Sequence, residues 1–446
     1  MNHLFIATAG LILALAPTTA FSAEDLPKTP SPAYDLATPG AHHPRYDQKG
    51  LWPEDVQKTA YFKETWEPAR LLVWSGPPTG KIRPEVWSLP ANWQEYPPAA
   101  AGYGKPQPAT TGPDEKSDVV VSARKDGLEF SGNLPARHLT IGSGVRIVDV
   151  RSTPQGNIWN DGYYGGGFLH ADFRGKKNTF MRGSGPFKAK AVFVNKAADA
   201  AVELVGAYME CVDWMELNTG RLIAGPGAIL GMGNRHQNII APKGTLVLMG
   251  GSTFKTYAPK DHDYDLDVFG KVLAGTPERP LTTDAVFLLN SKPKNKQVGD
   301  GNLNHRSLRL EPIGSITVNS ADPAKARLVF RPWDDKALID LMFAGNTVFD
   351  GVRFEGMELG GIQIKDEAVR KGWKNVTFGE RNAGKPDEIF SYKVNAGLNG
   401  VWHVNQNASQ QMKEHQAEET AKAKEDAAKA KQAGSPAAQP AAPAPK

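Results

Sequence analysis

The stretch Gly220-Arg-Leu-Ile-Ala-Gly225 decides the fold, because the chain repeats its pattern twice. The repeats are Gly244-Thr-Leu-Val-Leu-Met-Gly250 and Gly270-Lys-Val-Leu-Ala-Gly275, and the first glycines are separated by 24 and then by 26 residues. A period of roughly 20–50 residues is typical of stacked units, none of which can bury its apolar face alone. Glycine suits the corners of such units, since it adopts backbone angles that other residues avoid.

The surrounding sequence has the same character. Between about residues 117 and 405, short β-prone runs alternate with Gly, Asn, Asp and Pro, and helical periodicity is scarce. We therefore predict an all-β protein whose residues 117–406 form a single right-handed parallel β-helix, that is, a β-solenoid. The alternative is a β-sandwich, which favours hairpins with two-residue loops, and signals for such loops are few.

The two ends of the chain differ from this central part in composition. Residues 24–116 are rich in Pro, which blocks regular structure, and in Trp, which demands a packing surface, so we predict an N-terminal extension that caps the solenoid. Residues 407–446 are rich in Ala, Lys and Glu and then in Pro and Ala, which predicts a flexible or helical tail. That tail is either a solvated segment or a contact to the cell wall or surface.

Residues 1–23 have the pattern of a signal peptide. Leu4–Ala16 is an apolar run too short to span a bilayer, and the small residues Thr18 and Ala20 suit a cleavage site. The alternative is a buried N-terminal helix. We predict an exported protein, periplasmic or extracellular. The single cysteine, Cys211, excludes an internal disulfide framework, and export without disulfides favours a bacterial source.

Net charge, hydropathy and the absence of known motifs exclude several kinds of partner and site. The formal net charge is only +4, and acids and bases are mixed along the chain, so nucleic acid is not an expected partner. No stretch after the signal approaches the roughly 18 apolar residues of a transmembrane helix. Motifs for serine nucleophiles, helical zinc sites, phosphate loops and dinucleotides do not occur in a fitting context.

The order of motifs from Trp87 onward resembles that of a known group of proteins. Trp87-Ser-Leu-Pro-Ala-Asn-Trp93 precedes Ser117-Asp-Val-Val-Val-Ser122 and Leu139-Thr-Ile-Gly-Ser-Gly-Val-Arg-Ile147, and Gly275-Thr-Pro-Glu-Arg-Pro280 follows later. This order resembles bacterial secreted β-helix proteins and the eight-glycine domain of cell-migration-inducing hyaluronidase and fibrocystin. The resemblance covers about two thirds of the chain and departs in the Pro-rich insert 94–113. It implies a fold more than an activity, because such folds serve adhesion, glycan binding and glycan cleavage alike.

Trp87 and Trp93 have two interpretations. An open solenoid end exposes unpaired backbone and apolar side chains, and the two indoles would cover it. Alternatively, exposed indole rings would stack on sugar rings and form part of a substrate-binding site.

The segment Phe168-Leu-His-Ala-Asp-Phe-Arg174 supplies the candidate catalytic residues. On a strand, His170, Asp172 and Arg174 share one face. This set suits proton abstraction next to a uronate carboxylate: His170 takes the proton, Arg174 neutralises the carboxylate, and Asp172 orients one of them. The alternative is a ladder of polar pairs on a solvated face.

Two further pairs, Arg235 with His236 and His305 with Arg306, lie on predicted loops. They are candidate substrate-binding residues, since stacked coils bring residues that are distant in sequence to neighbouring levels.

The densest acidic cluster is the candidate metal site. Asp263, Asp265 and Asp267 share one face if they lie on a strand, and several carboxylate ligands suit calcium. An EF-hand is excluded, because its turn glycine and its final glutamate are missing. The cluster is therefore either a calcium site or a solvated loop.

Two functions follow from these patterns. The first is an exported β-helix protein that binds polysaccharide or acts at the cell surface, without assigned catalysis. The alternative is a polysaccharide-degrading enzyme, most simply a lyase that acts on a uronic-acid-containing glycan.

Overall fold

A computed structural model describes residues 69–99, 102–124, 127–148, 151–152, 156–166, 169–233, 238–257, 266–289, 307–333 and 337–392, together with the single residues 394, 417 and 421. The predicted signal peptide, the first part of the Pro/Trp-rich extension and nearly all of the predicted tail lie outside these ranges.

Strands are the main regular structure of the described residues. In chain order these are β1 (Leu71–Trp74), β2 (Gly80–Ile82), β3 (Trp93–Tyr96), β4 (Pro98–Ala99), β5 (Gly102–Tyr103), β6 (Gln107–Pro108), β7 (Asp118–Val121), β8 (Leu128–Ser131), β9 (His138–Ile141), β10 (Val145–Val148), β11 (Arg151–Ser152), β12 (Ile158–Asn160), β13 (Tyr163–Gly165), β14 (His170–Gly175), β15 (Thr179–Arg182), β16 (Phe187–Lys196), β17 (Ala201–Val205), β18 (Tyr208–Ala224), β19 (Ile229–Gly233), β20 (Asn238–Leu248), β21 (Thr253–Tyr257), β22 (Leu266–Val268), β23 (Lys271–Ala274), β24 (Ala285–Leu289), β25 (Leu308–Leu310), β26 (Ser315–Val318), β27 (Leu328–Pro332), β28 (Ile339–Phe343), β29 (Asn346–Val348), β30 (Asp350–Phe354), β31 (Met357–Ile364), β32 (Lys374–Phe378) and β33 (Phe390–Ser391). The helical elements are short: α1 (Pro84–Trp87), a 3-10 turn (Pro90–Asn92), α2 (Glu367–Gly372) and α3 (Glu380–Ala383).

The parallel strands pair in three stacks, which the chain visits in constant order. Stack A contains β1, β7, β9, β12, β15, β17, the ends of β18 and β20, β23, β26 and β29. Stack B contains β2, β8, β10, β13, the starts of β16 and β18, β19, β21, β24, β27, β30 and β32. Stack C contains β11, β14, the end of β16, the middle of β18, the start of β20, β22, β25, β28, β31 and β33. The protein is therefore all-β, with one long sheet of many parallel strands, an arrangement consistent with a β-solenoid.

Like residues stack on like residues inside the sheet. Phe254, Phe287, Phe330 and Phe354 occupy the same register position on four successive strands of stack B. Their ring centroids are 5.4, 5.3 and 5.5 Å apart. Because every such row is an inward position, one continuous apolar core runs along the stacks.

The glycines of the repeated pattern are required by geometry. Gly220 has a φ of +78°, which L-residues with side chains rarely adopt, and a Cβ there would lie 2.6 Å from the Cβ of Lys196. At Gly270 the backbone angle is ordinary, but a Cβ would lie 2.2 Å from the carbonyl oxygen of Ala241. The corners therefore admit no side chain where successive turns of the chain touch.

Asparagine side chains satisfy backbone donors near the corners. The amide nitrogen of Phe180 donates to Asn157 Oδ1 (2.8 Å), and that of Ala201 donates to Asn178 Oδ1 (2.7 Å). Both asparagines are buried, so each carbonyl pairs a backbone N–H that water cannot reach.

The N-terminal end of the sheet is closed by the Trp-containing segment. β3 pairs antiparallel with β1, which itself pairs in parallel with β7. The ring of Trp74 contacts those of Trp93 (5.1 Å) and Phe130 (4.9 Å). Among the described residues, parallel stacking starts at Leu71, which lies within the predicted extension of residues 24–116. The predicted boundary at residue 116 stays a prediction.

Candidate functional site

The candidate site lies on the outer face of stack C, here called the C face, and starts at β14. Leu169, Ala171 and Phe173 are fully buried and point into the core. The alternating residues His170, Asp172 and Arg174 therefore lie on the outer face, as the sequence predicts. The side chain of Arg174 is 57% exposed and that of Asp172 is 8% exposed.

Hydrogen bonds link Asp172 to its neighbours on the C face. Arg174 Nε donates to Asp172 Oδ2 at 2.7 Å, and this hydrogen bond, with the charge of Asp172, raises the pKa of Arg174. Asn195 Nδ2 donates to Asp172 Oδ1 at 2.9 Å, and Asn218 Nδ2 donates to Asn195 Oδ1 at 3.1 Å. We call Asp172, Asn195 and Asn218 the polar ladder, because they lie on three successive strands.

Three aromatic rings meet beside the polar ladder. The ring centroid of His170 lies 5.7 Å from that of Trp214 and 6.2 Å from that of Phe193, and the last two are 5.9 Å apart. All three side chains are half-buried. We call this set the aromatic cluster. It forms an apolar, ring-rich surface that still reaches solvent.

Glu216 adds a carboxyl group next to the aromatic cluster. Burial raises the pKa of Glu216, and hydrogen bonds from Asn218 and Trp214 oppose that rise. In the strand register, Asp172 on β14 pairs with Phe193 on β16, which pairs with Glu216 on β18. A carboxyl with a raised pKa is closer to the range needed for proton transfer, and it also accepts hydrogen bonds from hydroxyl groups.

Sequence reasoning missed Phe193, Trp214, Glu216 and the two asparagines. A usable signal exists, because each step of the polar ladder spans 23 residues. The same step from His170 reaches Phe193, and a second step reaches Glu216. Adding the length of one coil to each candidate residue would have found most of the site.

The structure does not place Trp87 and Trp93 beside His170. Both lie at the N-terminal end of the sheet and are buried, at 8% and 2% exposure. Trp93 Nε1 donates to the backbone oxygen of Trp87, and Trp87 Nε1 donates to that of Ser131. This burial favours the capping interpretation over stacking on sugars.

The remaining predicted residues fall mostly outside the described ranges. Arg235, His236, His305, Arg306, Asp263 and Asp265 all lie there, so their roles stay predictions. Asp267 is described, and it lies on β22 in the same outward row as Glu216.

Asp267 belongs to a buried charge cluster. Arg309 Nε lies 3.8 Å from Asp267 Oδ1, and Arg309 Nη2 lies 3.1 Å from Glu311 Oε1. Burial raises the pKa of Asp267 to about 7, with a smaller opposing effect from Arg309. Within the described ranges no three His, Cys, Asp or Glu residues come together as a metal site. Calcium binding by Asp263, Asp265 and Asp267 stays a prediction.

Comparison of the chain with family models, curated proteins and solved structures finds no match. The resemblance to secreted β-helix proteins and the eight-glycine domain therefore stays a prediction. In the part of the chain that the structure describes, no helix has the length and apolar character needed to cross a membrane.

Proposed function

We propose that this chain is an exported polysaccharide-binding protein, built as a single right-handed parallel β-helix, and that the C face carries its glycan site. The constant order in which the chain visits the three stacks supports this architecture, because parallel crossovers are right-handed in about 98% of cases. The signal-like sequence of residues 1–23 supports export.

The observation that carries the glycan site is the aromatic cluster beside the polar ladder. Sugar rings present C–H faces that pack on aromatic rings, and hydroxyl groups that pair with amides and carboxylates. His170, Phe193 and Trp214 supply the first kind of surface, and Asp172 and Asn195 supply the second. Trp333, which follows β27 and is 42% exposed, instead lies against a cationic side chain, with Lys255 Nζ 4.4 Å from its ring centroid.

A binding panel with two matched tryptophan variants tests this proposal. The mature protein is run by affinity electrophoresis through gels that contain neutral, amino-sugar or uronic-acid polysaccharides. At least one polysaccharide should retard the wild type. Trp214→Ala should lose roughly tenfold or more of that affinity, because truncating a central aromatic anchor has such effects. Trp333→Ala should bind like the wild type. Equal retardation of both variants would show that the glycan site is not on the C face.

A lyase is the second candidate function, favoured by a specific arrangement. Trp214 links the two candidate proton carriers, because its ring centroid lies 5.7 Å from that of His170 and its side chain hydrogen-bonds to Glu216. The raised pKa of Glu216 suits a group that moves protons. Incubation with uronic-acid polysaccharides, with and without calcium, should then produce the ultraviolet absorbance of unsaturated sugar ends. His170→Ala and Arg174→Ala should each lower the rate on the order of a hundredfold or more. Melting should be nearly unchanged in His170→Ala and lowered in Arg174→Ala, because the latter leaves the nearly buried Asp172 carboxylate without its charged partner. Wild-type rates in both variants would exclude this assignment.

A further inference from the structure

Contacts on the C face are organised across the strands rather than along them. The polar ladder joins Asp172, Asn195 and Asn218 by hydrogen bonds between successive strands. The aromatic cluster likewise takes one ring from each of the same strands. Adjacent strands are about 4.8 Å apart, so the three strands of the polar ladder span about 10 Å along the stack axis. The three rings lean together, with centroids 5.7–6.2 Å from one another.

Along a single strand the chemistry changes at every outward position. On β14 the outer face passes from the ring of His170 to the carboxylate of Asp172 and then to the guanidinium of Arg174. A sugar chain that followed β14 would meet one ring and then leave the aromatic cluster. A chain that crossed the strands would pack on the aromatic cluster and keep the hydrogen-bonding groups of the polar ladder beside its hydroxyls.

The exposed part of the C face ends above the strand of Glu216. The next residue in that register row is Ile239, which is 2% exposed, and the row continues with Asp267 at 1%. The described part of this row is therefore covered beyond Glu216.

We infer, on the basis of the proposed function, that the ligand is an extended, unbranched glycan that crosses the strands of stack C and runs along the stack axis. About two to three sugar rings span the distance from Asp172 to Glu216, since two inter-strand spacings amount to about 10 Å. Asp172 lies at one end of this segment and Glu216 at the other, two strands apart in register. A single sugar reaches one of these carboxylates, whereas a trisaccharide reaches both.

An oligosaccharide length series with isosteric variants tests the orientation. Calorimetry is done with the mono-, di-, tri- and tetrasaccharide of the polysaccharide that the panel identifies. Affinity should rise to the trisaccharide and then level off. Asp172→Asn and Glu216→Gln should each weaken trisaccharide binding by about tenfold, the typical effect of a hydrogen bond to a charged group. Only one of them should weaken monosaccharide binding. Glu210→Gln, on the outer face of stack B, should bind like the wild type.

The outcomes separate this inference from the proposed function. A trisaccharide that responds to Asp172→Asn and to Arg174→Gln but not to Glu216→Gln lies along β14, which overturns the axial orientation alone. Affinity that does not depend on length overturns it as well. Failure of every polysaccharide and oligosaccharide to bind overturns the proposed function and this inference together.

Discussion

At the scale of single residues, the aromatic cluster depends on a small neighbour. Ala191 lies between His170 and Trp214 in register and is fully buried. Strands two apart are separated by about 9.6 Å, yet the two ring centroids are 5.7 Å apart, so the rings lean towards each other across the strand of Ala191. A larger side chain at this position would occupy the space that the rings use.

The buried carboxyl of Asp267 makes stability depend on pH. Its pKa is raised to about 7 in the folded protein, whereas in the unfolded chain it is about 3.9. Between these values the folded state holds a proton that the unfolded state lacks. The free energy of unfolding should therefore fall as pH rises through this interval and then level off. Glu311, whose pKa burial also raises, acts in the same direction.

Urea unfolding at about pH 5 and about pH 8 measures this effect. Asp267→Asn should flatten the difference between the two conditions, since the amide cannot ionise. Asp322→Asn, at a half-exposed position, should keep the wild-type difference. An unaltered pH dependence in Asp267→Asn would show that other groups control it.

At the scale of the strand, the inward rows carry the stability. Leu246 on β20 is fully buried, and its backbone neighbour Thr245 faces outward and is half-buried. Leu246→Asp should abolish cooperative folding, because it places an unpaired carboxylate in the apolar core. Thr245→Asp should melt within a few degrees of the wild type, as outward substitutions usually do. Circular dichroism melts compare the two, and a wild-type melt for Leu246→Asp would mean that β20 faces the other way.

The stacked strands could be predicted from the sequence, because short stretches of sequence contain the patterns that produce them. Gly220, Gly244 and Gly270 are visible as a period, and alternation on β14 places His170 and Arg174 outward without any knowledge of contacts. The neighbours of these residues could not be predicted in the same way, because contacts across strands depend on coil length. Coils are not uniform: Asp172 lies 23 residues from Asn195, whereas Leu281 pairs with Ser320 across a much longer coil. Phe193 and Trp214 are therefore found only when the register is known.

At the scale of the whole molecule, a periplasmic or extracellular glycan ligand requires that the chain is exported. The mature N-terminus should lie between Phe21 and Asp25, because the small residues that suit cleavage end the apolar run just before this point. Mass spectrometry of protein recovered from the periplasm or medium of a bacterial host determines it. Recovery of the chain with Met1 intact would contradict cleavage of the signal and, with it, the prediction of a periplasmic or extracellular glycan ligand.

Hydroxyl-radical footprinting with bound polysaccharide tests the central claim, that the C face is the glycan site, most directly. The method reads the solvent accessibility of individual aromatic side chains. His170, Phe193 and Trp214 should become protected when the polysaccharide binds, while Trp333 and Tyr392, which are each 42% exposed, should react as in the free protein. Protection of Trp333 or Tyr392 with unchanged reactivity of His170, Phe193 and Trp214 would contradict this claim.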